Sequence, residues 1–307
     1  MAYNVAANAD VLTTWLNKRF ISDLDYELQH QKFTEKAIIP SQSGNVGRFL
    51  HWNLPSAATT NLAEGTTTEG EVTFTGTGVD ITVVEWGQHL KTTELMMYAA
   101  VKGAREKLSK RLRDGAALTI DTRVAAVAAT STTAAYCIAG EAGAQTAAAT
   151  PTAGNAAALI FAKKILKNNK AMGFEGISGH PDRHFAAVVS ATYEQQMVQE
   201  ATAGRLTFSE INKYNPGQQA QTKLVNGFLG SVYGVAVYVT NNFTQTTVTS
   251  LADNNYVFAD GGVGAMAFGD MQPQIIINEV NSPYKNINSI AWHVMFQAGL
   301  VSSARVL

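Results

Sequence analysis

The chain has 307 residues, a formal net charge of −1 and only 15% charged residues, against about a quarter in a typical soluble domain. That balance argues against a general affinity for nucleic acid, whose phosphates are normally met by a clustered basic excess. No apolar run approaches the ~20 residues needed to cross a bilayer, so no membrane partner is expected. A chain of this length buries roughly three quarters of its unfolded surface, and depletion of charge marks the buried parts of interfaces. Much of this surface is therefore expected to lie against other protein.

In chain order, residues Ala6 to Gln31 have helical spacing, with Val11, Leu12, Trp15, Leu16 and Phe20 opposite Asn17, Lys18 and Arg19. They predict an amphipathic N-terminal arm. Pro40, Gly44 and Gly47 then break helix, and Arg48 to Trp52 can enter a strand. From His51 to Glu94 the sequence reads as a long arm: Val72 and Phe74, then Val79, Ile81 and Val83, alternate with polar residues at strand period. Between them, Ala57 to Gly70 has almost nothing to bury. A strand pair with a Thr- and Gly-rich tip is marginal alone in water. A neighbouring copy is the expected source of the missing packing.

Thr92 and Thr93 can cap a helix running towards Thr130, with Leu108, Leu112, Ala116, Ile120 and Val124 repeating every four residues. Gly103 and Gly115 are its weak points, each costing roughly 1 kcal/mol relative to Ala. Lys102, Arg105, Lys107, Lys110, Arg111 and Arg113 crowd its first half with only Glu106 against them. Such a run is ordinarily a solvated helix face; the functional reading is an inward surface facing packed polyanion. The tract AGEAGAQTAAATPTAGNAAA reads as a loop between subdomains. A second helix is expected over Ala156 to Met172, ended by Gly173. His184 to Ser190 reads as a strand and Ala191 to Ala203 as helix. Gly227, Gly230 and Gly234 punctuate a β element that continues through Val235, Val237 and Val239. Tyr256 to Ala259, Ala265 to Phe268, Gln274 to Val280 and Ser289 to Phe296 supply further strands.

The single cysteine, Cys137, makes no internal disulfide, which suits a reducing cytosol. The opening MAYNVAANADVLTTW lacks a signal pattern, so intracellular synthesis is expected. Chemistry finds little support. Gly262 to Ala267 fits G-x-G-x-x-A, but Phe268-Gly269-Asp270-Met271-Gln272-Pro273 breaks the helix a dinucleotide site requires, so no cofactor is expected. His180 and His184 have helical i, i+4 spacing, yet Pro181 stands between them and His30, His51, His89 and His293 are scattered, so no metal site is expected. Neither Ser178 nor Ser231 sits in G-x-S-x-G. Glu64, Glu69 and Glu71 lie on the loop tip, where burial does not tune a carboxylate; they are better placed to pair with basic groups on a neighbour, giving register more than energy.

The order of an N-terminal helical arm, an L-x-EG loop (Leu62, Glu64, Gly65), a strand with an aromatic-Gly turn (Trp86, Gly87) and a Thr-Glu helix start (Thr93, Glu94) resembles the major capsid protein of tailed double-stranded DNA phages. The G-x-L-G-S-x-x-G-V-x-V element, Gly227 to Val237, is similar to that family's late hairpin. Trp86 stands where Tyr or Phe is more usual. The resemblance implies an α+β shell protein with an N-terminal arm over 1–47, an extended loop over 48–85, a peripheral domain with a spine helix over 86–155 and 270–307, and an axial domain over 156–269. It implies a non-enzymatic subunit that assembles with itself as hexamers and pentamers, meets scaffolding, portal and decoration proteins, and encloses double-stranded DNA non-specifically in a virion assembled in the host cytoplasm. The subunit-interface candidates are Trp15 and Arg19 on the arm and Leu62, Glu64, Gly65, Glu69 and Phe74 on the loop. The alternatives are an encapsulin-like nanocompartment shell and an α/β enzyme of unknown reaction.

Overall fold

The computed structural model describes residues 29–52, 76–93, 104–131, 156–176, 183–198, 228–243, 245–247, 251–269, 273–279 and 287–307. After a short 3-10 turn at His30–Phe33 come strands β1 (Thr34–Ile39), β2 (Val46–Trp52), β3 (Gly76–Thr82) and β4 (Val84–Thr93), then helices α1 (Ala104–Ala128) and α2 (Ala156–Asn168). Strand β5 (Phe185–Ser190) and helix α3 (Ala191–Val198) follow. The rest is β: β6 (Phe228–Val232), β7 (Val235–Thr240), β8 (Gln245–Thr247), β9 (Leu251–Asp253), β10 (Tyr256–Phe258), β11 (Val263–Phe268), β12 (Gln274–Glu279) and β13 (Ile287–Leu300).

Strand β13 organises the larger sheet. Its period-2 pattern turns Ile290, Trp292, Val294, Phe296 and Ala298 to one face, all buried. One edge of β13 pairs antiparallel with β4 along its length, Trp86 opposite Val294 and Leu90 opposite Ile290. The other edge is shared, β12 pairing with its first half and β11 with its second. β1 adds to β11 in parallel, Thr34 opposite Val263 and Ile39 opposite Phe268. The smaller sheet has the order β10-β5-β7-β6, with β5 and β7 parallel. It is closed at the β10 edge by the last residues: the Val257 amide donates to Leu307 O and the Leu307 amide to Val257 O, at 2.8 and 3.1 Å.

Helix α1 lies across both sheets on one side. Ala116, Ala117 and Ile120 pack with Trp292, Val294 and Phe296 of the larger sheet. Two turns later Val124, Ala125 and Ala128 meet Ala186, Val188, Ala236 and Phe258 of the smaller one. The alanines let the helix approach closely, and each fully buried large side chain contributes roughly 1.5–3 kcal/mol. The opposite face of the smaller sheet is covered by α2 and α3, through Leu159, Ala162, Leu166, Tyr193 and Met197 against Phe185, Ala187, Val235 and Val237.

The structure bears on several sequence expectations, correcting the end of the second helix and keeping the strand reading of the glycine tract. Thr92 and Thr93 end β4, paired with Asn288 and Ile287 of β13, and the helix start expected directly after them lies outside the described residues. Helix α1 runs unbroken through Gly115, where an added Cβ would stand 3.1 Å from Gln88 Oε1, so the glycine makes room for β4. Helix α2 ends at Asn168, before Gly173, with Lys170 in the left-handed region at φ 56°. The Ala171 amide closes on Leu166 O and the Lys170 amide on Lys167 O, a Schellman pattern built without glycine. The G-x-G-x-x-A tract is β11 and begins no helix. His184 bridges Phe174 antiparallel, while His180 lies outside the described residues.

Candidate assembly surface

β2 and β3, the described ends of the segment expected to form an extended loop, pair antiparallel, and the structure explains how they are seated. Register places Val46, Arg48, Leu50 and Trp52 opposite Thr82, Asp80, Gly78 and Gly76. Gly47, Phe49, Val79 and Ile81 belong to the other face. Phe49 and Ile81 are buried with Ile39, Val83 and Met266 in a cluster of their own. Three glycines make that seat. A Cβ at Gly264 would stand 2.5 Å from Phe49 Cε2, and one at Gly299 would stand 2.6 Å from Ile81 Cδ1; at Gly47 it would collide with the Met266 sulfur. Gly264 and Gly299 are register partners on β11 and β13. The sheet therefore carries a two-glycine depression that receives one large side chain from each hairpin strand.

The outward face is different. Leu50 is 61% and Trp52 60% exposed, with Val46 also exposed beside them. Glycines shape this face too. The Trp52 ring lies against Gly76, and the Arg48 stem crosses Gly78. Arg48 then grips Asp80 through two hydrogen bonds, Nε to Oδ1 at 2.5 Å and Nη2 to Oδ2 at 2.7 Å. These bonds hold the Asp80 carboxyl below the ordinary carboxylate range. The pair sits in water and so sets register more than stability. The result is a flat apolar strip of Val46, Leu50 and Trp52 around a neutralised charge pair. Replacing Trp52 by Ala together with Leu50 by Asp is expected to leave the thermal midpoint of the isolated subunit within about 2 °C, because surface changes stay within roughly 0.5 kcal/mol, and to abolish sedimentation as large particles. Wild-type particle yield from this variant would remove the strip from the assembly surface.

The root of the N-terminal arm is fixed by a buried polar clasp. His30 is 1% and Asp121 2% exposed. The Asp121 carboxylate accepts the His30 amide at 2.9 Å and lies 2.8 Å from His30 Nδ1. An ionised carboxylate only accepts, so the proton of this contact is on Nδ1. Asn242 Nδ2, just beyond β7, donates to Asp121 Oδ2 at 2.8 Å and approaches Thr122 Oγ1 at 3.2 Å. The His30 ring stands edge-on to Tyr256 and Phe258. Arm root, helix α1 and the smaller sheet thus meet at one carboxylate. In the sequence His30 is one of several scattered histidines, and the 91-residue separation of His30 and Asp121 hides the contact.

The interface candidates Trp15, Arg19, Leu62, Glu64, Gly65, Glu69 and Phe74 all lie outside the described residues. Of the basic run on α1, Lys110 and Arg111 are exposed, and Arg113 pairs with Asp114 at 3.4 Å. Arg123, further along, stacks on Trp86 with its guanidinium carbon 3.9 Å from the ring centre. Among the described residues no group of three or more His, Cys, Asp or Glu is placed to hold a metal ion, and no helix is long and apolar enough to cross a membrane.

Comparison with known proteins agrees with this architecture. Residues 76–303 match the family model described as phage capsid protein. No curated protein matches the sequence. Among solved structures, the chain is similar to the capsid of cyanophage P-SCSP1u, at TM-score 0.63 and 16% identity over 91% of this chain and 86% of that one. It is also similar to the capsid of Ralstonia phage GP4, at TM-score 0.64 and 11% identity over 89% and 87%. The capsid of Helicobacter pylori bacteriophage KHP30 aligns at TM-score 0.63 and 10% identity over 89% and 84%. At such identities the likeness shows the fold, an α+β capsid fold in which a long helix backs a mixed sheet. The family-model match spans most of the chain, from the second strand of the hairpin to the end of the larger sheet, and the chain belongs to the phage capsid protein family.

Proposed function

We propose that this chain is the major capsid subunit of a tailed phage, assembling with itself as hexamers and pentamers into an icosahedral shell that encloses double-stranded DNA. The observation that carries the reading is the seated hairpin. One face is anchored in its own sheet through Phe49 and Ile81, while Val46, Leu50 and Trp52 on the other are left in water. Covering Leu50 and Trp52 with a neighbour would release roughly 1.5–3 kcal/mol for each side chain fully buried. Repeated around a closed ring, contacts of this size sum to a stable shell, and a head-to-tail contact closes when the rotation does. The four-part division of the chain belongs to this proposal, with β1 and β11 taking part in the sheet built on β13. So do the virion location, host-cytoplasm assembly, the absence of a catalytic role, and scaffolding, portal and decoration partners.

Sedimentation velocity of the purified chain, with imaging of the fast fraction, tests it. Closed shells or capsomer-sized rings are expected, and deletion of residues Thr59 to Gly70 is expected to leave a folded subunit that assembles poorly. Nuclease-resistant DNA inside particles from infected cells separates a capsid from an enzyme-filled compartment. A chain that stays monomeric near its 32.8 kDa mass, even with phage lysate, overturns the proposal.

A further inference from the structure

Helix α2 and its cap carry a surface that the capsid reading does not use. From Ala156 to Phe174 there are four cations, Lys163, Lys164, Lys167 and Lys170, and no acid. The buried face of the helix is spent on the smaller sheet, so the lysines lie on its solvent side, with Lys164, Lys167 and Lys170 exposed. Among the described residues none of the four is within ion-pair distance of a carboxylate. Lys163 hydrogen-bonds the Tyr233 carbonyl at the β6–β7 turn. Burial, and then the charge of Lys167, hold its ammonium below the usual lysine range.

The plainest explanation is that lysines near a helix C-terminus offset the helix dipole. That accounts for Lys167 and Lys170, which lie in or beyond the last turn, but not for Lys163 and Lys164, a turn earlier. Lys170 adds a second difficulty. It occupies the left-handed cap position at which Gly or Asn is the usual residue, and a long side chain held there is retained against its backbone preference. Of the α1 run that drew attention in the sequence, Arg113 is engaged by Asp114 while Lys110 and Arg111 are exposed, so these two serve as the comparison surface.

The geometry points to the α2 face as the surface that meets the phosphate backbone of the enclosed double-stranded DNA. This rests on the reading of the chain as the coat of a DNA-filled shell. DNA fits better than an acidic protein because protein interfaces are enriched in Arg and depleted in Lys, whereas the cations of α2 and its cap are all lysine. Lysine neutralises phosphates as a flexible point charge and reads no sequence. Contact is therefore non-specific and governed by counterion release, with log K falling by about 0.9 per phosphate neutralised for each decade of salt.

The test uses the full-length chain as unassembled subunits, with fluorescence anisotropy of a labelled 30-base-pair duplex across a salt series. Changing Lys164→Gln, Lys167→Gln and Lys170→Asn together is expected to make the salt slope shallower by about 2.7 without altering the thermal midpoint. The control on α1, Lys110→Gln with Arg111→Gln, is expected to leave the slope as it is. An unchanged slope in the α2 variant, or a slope lost only in the α1 variant, overturns the inference. So does poly-glutamate binding more tightly than DNA, which would assign the face to an acidic protein. Subunits that bind DNA through α2 but never form particles would sink the coat reading and leave this surface standing; normal particles with a slope indifferent to α2 would do the reverse.

Discussion

Replacing Asp121 by Ala is expected to lower the unfolding free energy of the isolated subunit by about 3–5 kcal/mol, because removing one partner of a buried pair leaves the other desolvated and uncompensated. The loss reaches further than one contact, since the same carboxylate receives the His30 amide, the His30 ring and the Asn242 side chain. Against a typical total of about 5–15 kcal/mol, the subunit would be close to unfolding. Asp121→Asn should lose less, about 1–3 kcal/mol: its amide oxygen still accepts, but its NH2 group is turned towards another donor. Urea denaturation followed by tryptophan fluorescence measures both. A loss below about 1 kcal/mol for the alanine variant would show that the clasp does not hold the arm root in place.

Replacing Gly264 by Val is expected to separate folding from assembly. Valine is a better strand residue than glycine, so propensity alone would strengthen β11. Its Cβ, however, would stand 2.5 Å from Phe49 Cε2 and 2.8 Å from Val301 Cγ2. Overpacking of this kind costs about 1–3 kcal/mol, and the softer side of the contact yields. The hairpin holds on through Phe49, Ile81 and the turn at Val83, whereas β11 is paired on both edges. The β2–β3 root should therefore lift from the sheet while the sheet persists. Hydrogen exchange should rise in β2 and β3 and stay slow in β11 and β13, and no shells should form. Fast exchange throughout the sheet would mean that the depression is a core position and has no separate role in aiming the hairpin.

Strands were legible where one face is wet, because alternation reports burial directly. Val79, Ile81 and Val83 announced β3, and HFAAVVS announced β5, with each close to its observed span. The family resemblance then supplied the order of parts. What escaped was whatever depends on distant partners. Nothing near Thr93 in the sequence shows that it pairs with Ile287, almost two hundred residues on. Val263 to Phe268 follows the smaller sheet in sequence but hydrogen-bonds into the larger one. Gly264 and Gly299 are unremarkable as letters, and only register brings them side by side beneath the hairpin. The aromatic-Gly pair at Trp86 and Gly87 was noticed for its resemblance, yet its physical basis is local. Trp86 Nε1 donates to Phe296 O at 3.1 Å, and a Cβ at Gly87 would stand 2.7 Å from Trp292 O.

The seat of the hairpin has a consequence for the order of events during synthesis. Pairing of β2 with β3 joins residues a few dozen positions apart and is sampled early, though only marginally stable by itself, whereas β4 waits for a partner roughly two hundred positions downstream, a topology that folds slowly. When Phe49 and Ile81 are already presented on a formed hairpin, the glycines that will receive them have not yet left the ribosome. For that interval the hairpin is a plug without a socket. On a polysome, where sister chains at later stages are close by, the nearest finished socket belongs to another molecule, and exchange of hairpins between chains is the characteristic error of such a design. Translation speed between β3 and β13 then becomes a determinant of yield, with slower passage lengthening the time in which subunits are joined by the wrong contact.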